Sequence, residues 1–221
     1  SLVTAVEQIV TGALVWIGQD LVGLVDLLEL LGGLGLVRVD VRVIDARRLA
    51  ERYGQHPAVI LWHVSNEYGG ACYCDTCAGK FREWLQAKYG TLDELNARWW
   101  TRFWGHTYTA WDQIMPPREN AEFLTHGLNV DYFRFMSDSQ LDCYRNERDA
   151  LRAITPDIPI TTNLMGAYKP LDYRRWAQEM DVVSWDCYPN PNHAPADIAF
   201  LHDLTRGLKD GQPFLLMEQT P

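Results

Sequence analysis

No cysteine occurs before Cys72, no lysine or proline occurs in residues 1–42, and only one tryptophan, Trp16, precedes position 60. Basic residues are in the minority, with 20 Lys plus Arg against 29 Asp plus Glu and a formal charge of -9. They are dispersed rather than clustered, so the chain has no footprint for a phosphate backbone and nucleic acid is excluded as a partner. The longest early uncharged run, Gln8 to Gln19, is too short for a membrane-spanning helix, which removes the membrane as a partner. The start lacks the charged head, apolar core and small-residue cleavage site of a secretory leader, and the expected location is cytoplasmic. No glycine-rich fingerprint follows a strand pattern, so no dinucleotide cofactor is implied.

What is present is a folded chain of 221 residues, 47% hydrophobic and 22% charged, ample for a buried core. It also carries nine Trp and ten Tyr. Such rings usually pack cores, and they also supply flat faces for the C–H surfaces of sugars.

Two regions differ in texture. Residues 1–42 form an atypical leading segment, rich in Leu, Val and Gly. It contains a helical pattern over residues 21–33 and an alternating strand pattern over residues 36–43. Residues 43–221 have a steadier rhythm. Helices are expected at 44–53, 78–89, 92–100, 130–154, 170–179 and 194–208, and apolar strands at 58–67, 158–163, 182–186 and 213–218. Thr91 with Glu94 forms a capping box for the third of these helices.

Short apolar strands separated by helical crossovers indicate a parallel sheet in an α/β fold. A doubly wound sheet shares that alternation. Polar residues at the C-terminal ends of several strands favour the (β/α)8 TIM-barrel type, which places its chemistry there. A full barrel has eight strands over about 250 residues, so four or five strands make this an incomplete barrel. Open strand edges favour assembly, and a homo-oligomer is the expected form.

Glu67 and Glu218 each end an apolar run. A carboxylate there must be paired or useful, because burial penalises its charge. Two such groups at one barrel mouth suit glycosidic cleavage, where one protonates the leaving oxygen and the other meets the positive anomeric carbon.

The run Trp62-His63-Val64-Ser65-Asn66-Glu67-Tyr68-Gly69, then Cys72-Tyr73-Cys74-Asp75-Thr76-Cys77, then Leu216-Met217-Glu218-Gln219-Thr220-Pro221 resembles the glycoside hydrolase family 42 beta-galactosidases. The likeness covers about residues 46–221. It implies a retaining hydrolase of terminal beta-galactosides, with Glu67 as acid/base, Glu218 as nucleophile and Asn66 on a sugar hydroxyl. Trp104 and Tyr188 are further candidates for the sugar pocket, with structural packing as their alternative. The other functional readings are a recombined barrel that binds sugar or acts structurally, and a retaining glycosidase of different sugar specificity.

Cys72, Cys74 and Cys77 are spaced for a structural zinc ion, for which the resemblance implies a further cysteine earlier in the barrel; the fourth position is open to water, another residue or none. No catalytic cofactor is called for. Cys143 and Cys187 read as ordinary buried thiols, His63 as a hydrogen-bonded core or wall residue, and Asn163 as a strand end facing the mouth.

Overall fold

A computed structural model of the chain describes residues 15–16, 41–118, 125–190 and 192–220, with backbone alone for residues 15, 16, 41 and 104. The expected helix over residues 21–33 lies outside the described residues. The described part divides into two compact units.

Of the described residues, the first unit comprises 15–16, 41–68, 141–168, 173–190 and 192–220 and carries the sheet. Its strands are β1 (Val15–Trp16), β2 (Trp62–His63), β3 (Ile160–Thr161), β4 (Asn163–Leu164), β5 (Ser184–Cys187) and β6 (Leu215–Gln219). Every pairing is parallel, in the order β1-β2-β3 and β4-β5-β6. Only Thr162 separates β3 from β4, so one chain segment joins both sets. Helices fill the crossovers, as parallel neighbours require. The architecture is that of an incomplete (β/α) barrel.

The described helices are α1 (Val41–Tyr53), α2 (Asp75–Tyr89), α3 (Leu92–Trp99), α4 (His126–Arg152), α5 (Tyr173–Glu179) and α6 (Pro195–Gly207). One expectation is corrected by α1: residues 41–43 were read as the end of an alternating strand and are helical. Val43 alternates with charged residues in sequence, but it also lies on the helical period that continues through Ala46 and Ala50, which are buried. Gly54 follows α1, and a Cβ there would stand 2.3 Å from Thr155 Cγ2 and 2.5 Å from the Ala50 carbonyl oxygen, so a side-chain methyl and a carbonyl close in where only hydrogen fits.

The strand expected over residues 58–67 is paired for less of its length. Trp62 N–H donates to the Pro159 carbonyl at 2.9 Å and Val64 N–H to the Thr161 carbonyl at 2.8 Å. Beyond that the ladder ends, because Ser65 and Glu67 take positive φ angles of 56° and 42° and turn the chain away. The core of this unit is built on Trp62, Tyr144, Trp176 and Trp185, all fully buried. Trp62 Nε1 donates to Thr155 Oγ1 at 2.9 Å, satisfying its polar tip.

The second unit comprises residues 69–140 and 169–172. Phe81 and Leu85 on α2, Leu95 and Trp99 on α3, and Leu128, Tyr132, Phe135 and Met136 on α4 recur at helical spacing and form its core. Thr91 Oγ1 accepts the Glu94 N–H at 3.2 Å and caps α3. Asp131 is 1% exposed yet fully engaged, accepting from Lys88 Nζ at 2.5 Å, Tyr89 hydroxyl at 2.5 Å and Trp99 Nε1 at 3.0 Å. Trp99, Trp84 and Tyr89 are therefore packing residues of this unit.

Candidate active site

The site in the first unit begins with a fault in the sheet. Along β5 and β6 the register runs Ser184 with Leu215 and Trp185 with Leu216, then jumps so that Asp186 pairs with Glu218 and Cys187 with Gln219. Without that offset Met217 would stand opposite Asp186. Side chains alternate faces along a strand, so a one-residue bulge exchanges the face that Met217 would have occupied for Glu218. The sequence Leu215-Leu216-Met217-Glu218 thus delivers its carboxylate beside Asp186.

Asn163, at the start of β4, is 1% exposed and lies between these carboxylates and Glu67. Its Nδ2 donates to Asp186 Oδ2 at 2.7 Å, to Glu218 Oε1 at 3.1 Å and to Asn66 Oδ1 at 2.9 Å. Its Oδ1 accepts the Glu67 backbone N–H at 3.0 Å. That bond holds Glu67 in its left-handed conformation, a state that costs a non-glycine residue roughly 1–2 kcal/mol. Tyr68 anchors the other side of the turn, donating its hydroxyl to Glu147 Oε1 at 3.2 Å and packing on Trp176 at 5.1 Å between ring centroids.

His63 Nε2 lies 3.1 Å from the same Asn163 Oδ1. Burial pushes its pKa down, opposed by the bond to Asn163 and by the charge of Glu218. Tyr188, just beyond β5 and 50% exposed, donates its hydroxyl to Glu218 Oε2. That bond to a carboxylate, more than any other cause, pushes the tyrosine up to about 12.

Asp186 is 6% exposed, and its Oδ1 is buried without a hydrogen-bond partner. Its pKa is pushed up to about 7, first by burial and then by the negative charge of Glu218; the Asn163 bond opposes this and Glu67 adds to it. A third acid therefore sits beside the pair and holds a proton more readily than an ordinary aspartate.

The structure gathers Glu67, Glu218, Asn66 and Tyr188 around Asn163 and Asp186. Asp186 was not singled out in the sequence, although it follows Trp185 at a strand end as Glu67 follows the run through Val64. The backbone of Trp104 lies in a single 3-10 turn, Phe103–Gly105, in the second unit, and its side chain is outside the described residues.

Cys72, Cys74 and Cys77 also converge, in the second unit at the N-terminus of α2. Their sulfur atoms lie within 4.8 Å of one another. Tetrahedral zinc with bonds of about 2.3 Å separates thiolates by just under 4 Å, so three sulfurs in this arrangement fit the ion. The backbone of Cys77 and then the neighbouring thiols pull Cys74 down to about 7, whereas burial and those same neighbours push Cys77 up to about 12. Cys74 therefore gives up its proton more readily than an ordinary thiol and Cys77 less readily. Cys187 is buried as expected, whereas Cys143 is only half-buried, and all five cysteines are free. Among the described residues, no helix is long and apolar enough to cross a membrane.

The family model for beta-galactosidases of glycoside hydrolase family 42 matches residues 38–221. Beta-galactosidase BgaP of Planococcus sp. (strain L4) is 59% identical over 182 residues, covering 80% of this chain and 27% of that protein. GanA of Bacillus subtilis (strain 168), also a beta-galactosidase, is 51% identical over 189 residues, covering 79% of this chain and 28% of its own. Among solved structures, the beta-galactosidase from Bacillus circulans sp. alkalophilus superposes with a TM-score of 0.77 at 54% identity, over 81% of this chain and 27% of that one. The enzyme of the haloarchaeon Halorubrum lacusprofundi superposes with a TM-score of 0.71 at 33% identity, over 80% and 29%. The chain spans little more than a quarter of the length of these relatives.

Proposed function

This chain belongs to glycoside hydrolase family 42, the beta-galactosidases, and on that premise we propose that Glu67 and Glu218 cleave terminal beta-D-galactosides by double displacement. The observation that carries the proposal is the Asn163 side chain, which binds the Glu218 carboxylate with its nitrogen and the Glu67 backbone with its oxygen. Two carboxyl-bearing residues are thereby tied to one buried amide.

In the first half-reaction Glu218 attacks the anomeric carbon while Glu67 gives its proton to the departing glycosidic oxygen. In the second, Glu67 takes a proton from water, which attacks the galactosyl ester and restores Glu218. Two inversions leave the product with the starting configuration, and a pair acting this way stands about 5–5.5 Å apart. Asn66 is proposed to bind a sugar hydroxyl and Tyr188 to orient Glu218 beside the sugar. No cofactor takes part in these steps.

In the same reading residues 43–221 form the barrel segment that bears the site, and residues 1–42 are a leading segment of atypical composition. Cys72, Cys74 and Cys77 hold a structural zinc ion that ties residues 72–77 to the start of α2. The five free thiols suit a reducing compartment, and we place the protein in the cytoplasm as a homo-oligomer.

Turnover of a chromogenic beta-galactoside by the 221-residue chain, compared with Glu218→Gln and with a beta-glucoside, tests the proposal. Galactoside hydrolysis abolished by the substitution is the expected result. Hydrolysis unchanged by it overturns the assignment, and saturable binding without turnover in the unsubstituted chain replaces the enzyme with a sugar-binding barrel segment.

A further inference from the structure

The two glutamates account for the bonds broken and made, yet neither explains why a nearly fully buried amide is wedged beside them. The orientation of that amide follows from its partners. The Glu67 N–H can only donate, so the atom it meets is the Asn163 oxygen. Asp186 and Glu218 offer oxygens to the other end, so that end is the nitrogen. His63 Nε2 then donates to the same oxygen, which fixes its tautomer and leaves His63 Nδ1 as a buried atom without a partner.

The nitrogen carries two hydrogens and faces three acceptor oxygens, those of Asn66, Asp186 and Glu218. At 1% exposure, Asn163 has little access to solvent that could supply a further donor. Its hydrogens are therefore contested, and the share given to Glu218 depends on the company around it. The titratable groups facing Glu218 are His63 from β2, Asp186 from β5 and Tyr188 just after β5, with Glu67 acting on Asp186 and Tyr188.

We propose that Asn163 is a positioning residue: its amide orients the Glu218 carboxylate for attack and at the same time pins the backbone that carries Glu67. The inference rests on the hydrolase reading above for its kinetic consequences, but not for its effect on Glu218 itself. A reactive arrangement of the two glutamates, beyond their mere presence near the ends of β2 and β6, is what the amide secures.

Two variants of the full chain test it. In Asn163→Ala, kcat falls on the order of 100-fold, the scale seen when one preorganised donor is removed. KM moves by less than about threefold, because the lost interaction serves the transition state rather than binding. The acidic limb of kcat/KM moves to higher pH, since a carboxylate that loses a donor is easier to protonate. Asn163→Asp keeps an oxygen for the Glu67 N–H but donates only while its new carboxyl is protonated, so its activity recovers towards low pH. A residue that served packing alone would lower the folded fraction and leave both limbs where they were.

Titration of Glu218 followed through 13C-labelled glutamate carboxyls reads the same contact without turnover, in Asn163→Ala or, should that variant not fold, in Asn163→Asp. A Glu218 carboxyl that titrates at higher pH in the variant than in the unsubstituted chain supports the inference. An unmoved Glu218 titration overturns it. Absence of turnover in the unsubstituted chain overturns the hydrolase reading instead, and the carboxyl titration still decides the role of Asn163.

Discussion

Asp186 and Glu218 are register partners on neighbouring parallel strands, and they are partners only because β6 skips one residue before reaching them. Two acids held side by side cannot both shed their protons at ordinary cost. The structure places that cost on Asp186, whose pKa is pushed up to about 7 by burial first and by Glu218 second.

That shift sets a pH dependence of stability. A carboxyl that titrates at an ordinary 3.8 when unfolded and about 7 when folded binds its proton more tightly in the fold. Its stabilising contribution is complete below about pH 4 and is lost as the pH rises through about 7. Asp186→Asn keeps an acceptor for Asn163 and removes the titration. Thermal melts from pH 4 to pH 8 should show unsubstituted chain falling relative to the variant across that window; parallel curves would show that Asp186 is not the source.

Glu67→Gln removes the proton donor and the later base, while Glu218 remains. With a good leaving group the first step survives, and water attack on the ester slows by roughly 100- to 10,000-fold, the range for general acid/base catalysis. Azide needs no base, so added azide should restore turnover and yield the beta-galactosyl azide. An alpha-configured azide, or no response, would remove Glu67 from the acid/base role.

Gly54→Ala tests the packing behind β2. The new methyl carbon must displace Thr155, whose hydroxyl holds the Trp62 indole, or the carbonyl of Ala50. Overpacking of this kind costs about 1–3 kcal/mol. Urea unfolding should report a lower midpoint, and an unchanged midpoint would mean that the turn after α1 yields freely.

The zinc proposal predicts about one metal ion per chain by elemental analysis after purification without added chelator. Cys74→Ser should lose most of it and melt earlier, because metal binding adds to folding stability. Full metal content in the variant would exclude this cysteine as a ligand.

Much of this is legible in the sequence. Glu67 and Glu218 announced themselves by ending apolar runs, and the alternation of strands with helices identified the parallel sheet. The capping of α3 by Thr91 was readable because such a bond is local. The β6 bulge was not, since register is a relation between strands and Met217 and Glu218 look like consecutive strand residues in sequence. Asp186 escaped for the same reason: its character comes from its neighbour on β6. The strand expected through Glu67 is shorter because Ser65 and Glu67 take positive φ, and the partner that holds the Glu67 N–H, Asn163, lies nearly a hundred residues away in sequence. Residues 41–43 were misread because a few alternating residues satisfy both a strand and the start of a helix.

The central assignment is the nucleophile, and covalent trapping tests it most directly. A 2-deoxy-2-fluoro-beta-galactoside with a strong leaving group slows release of the ester far more than its formation, so the sugar remains on the residue that attacked. Peptide mass spectrometry of the labelled chain should find the fluorosugar on Glu218. A label on any other residue would contradict the account, and so would turnover of the unfluorinated galactoside to a product of inverted configuration.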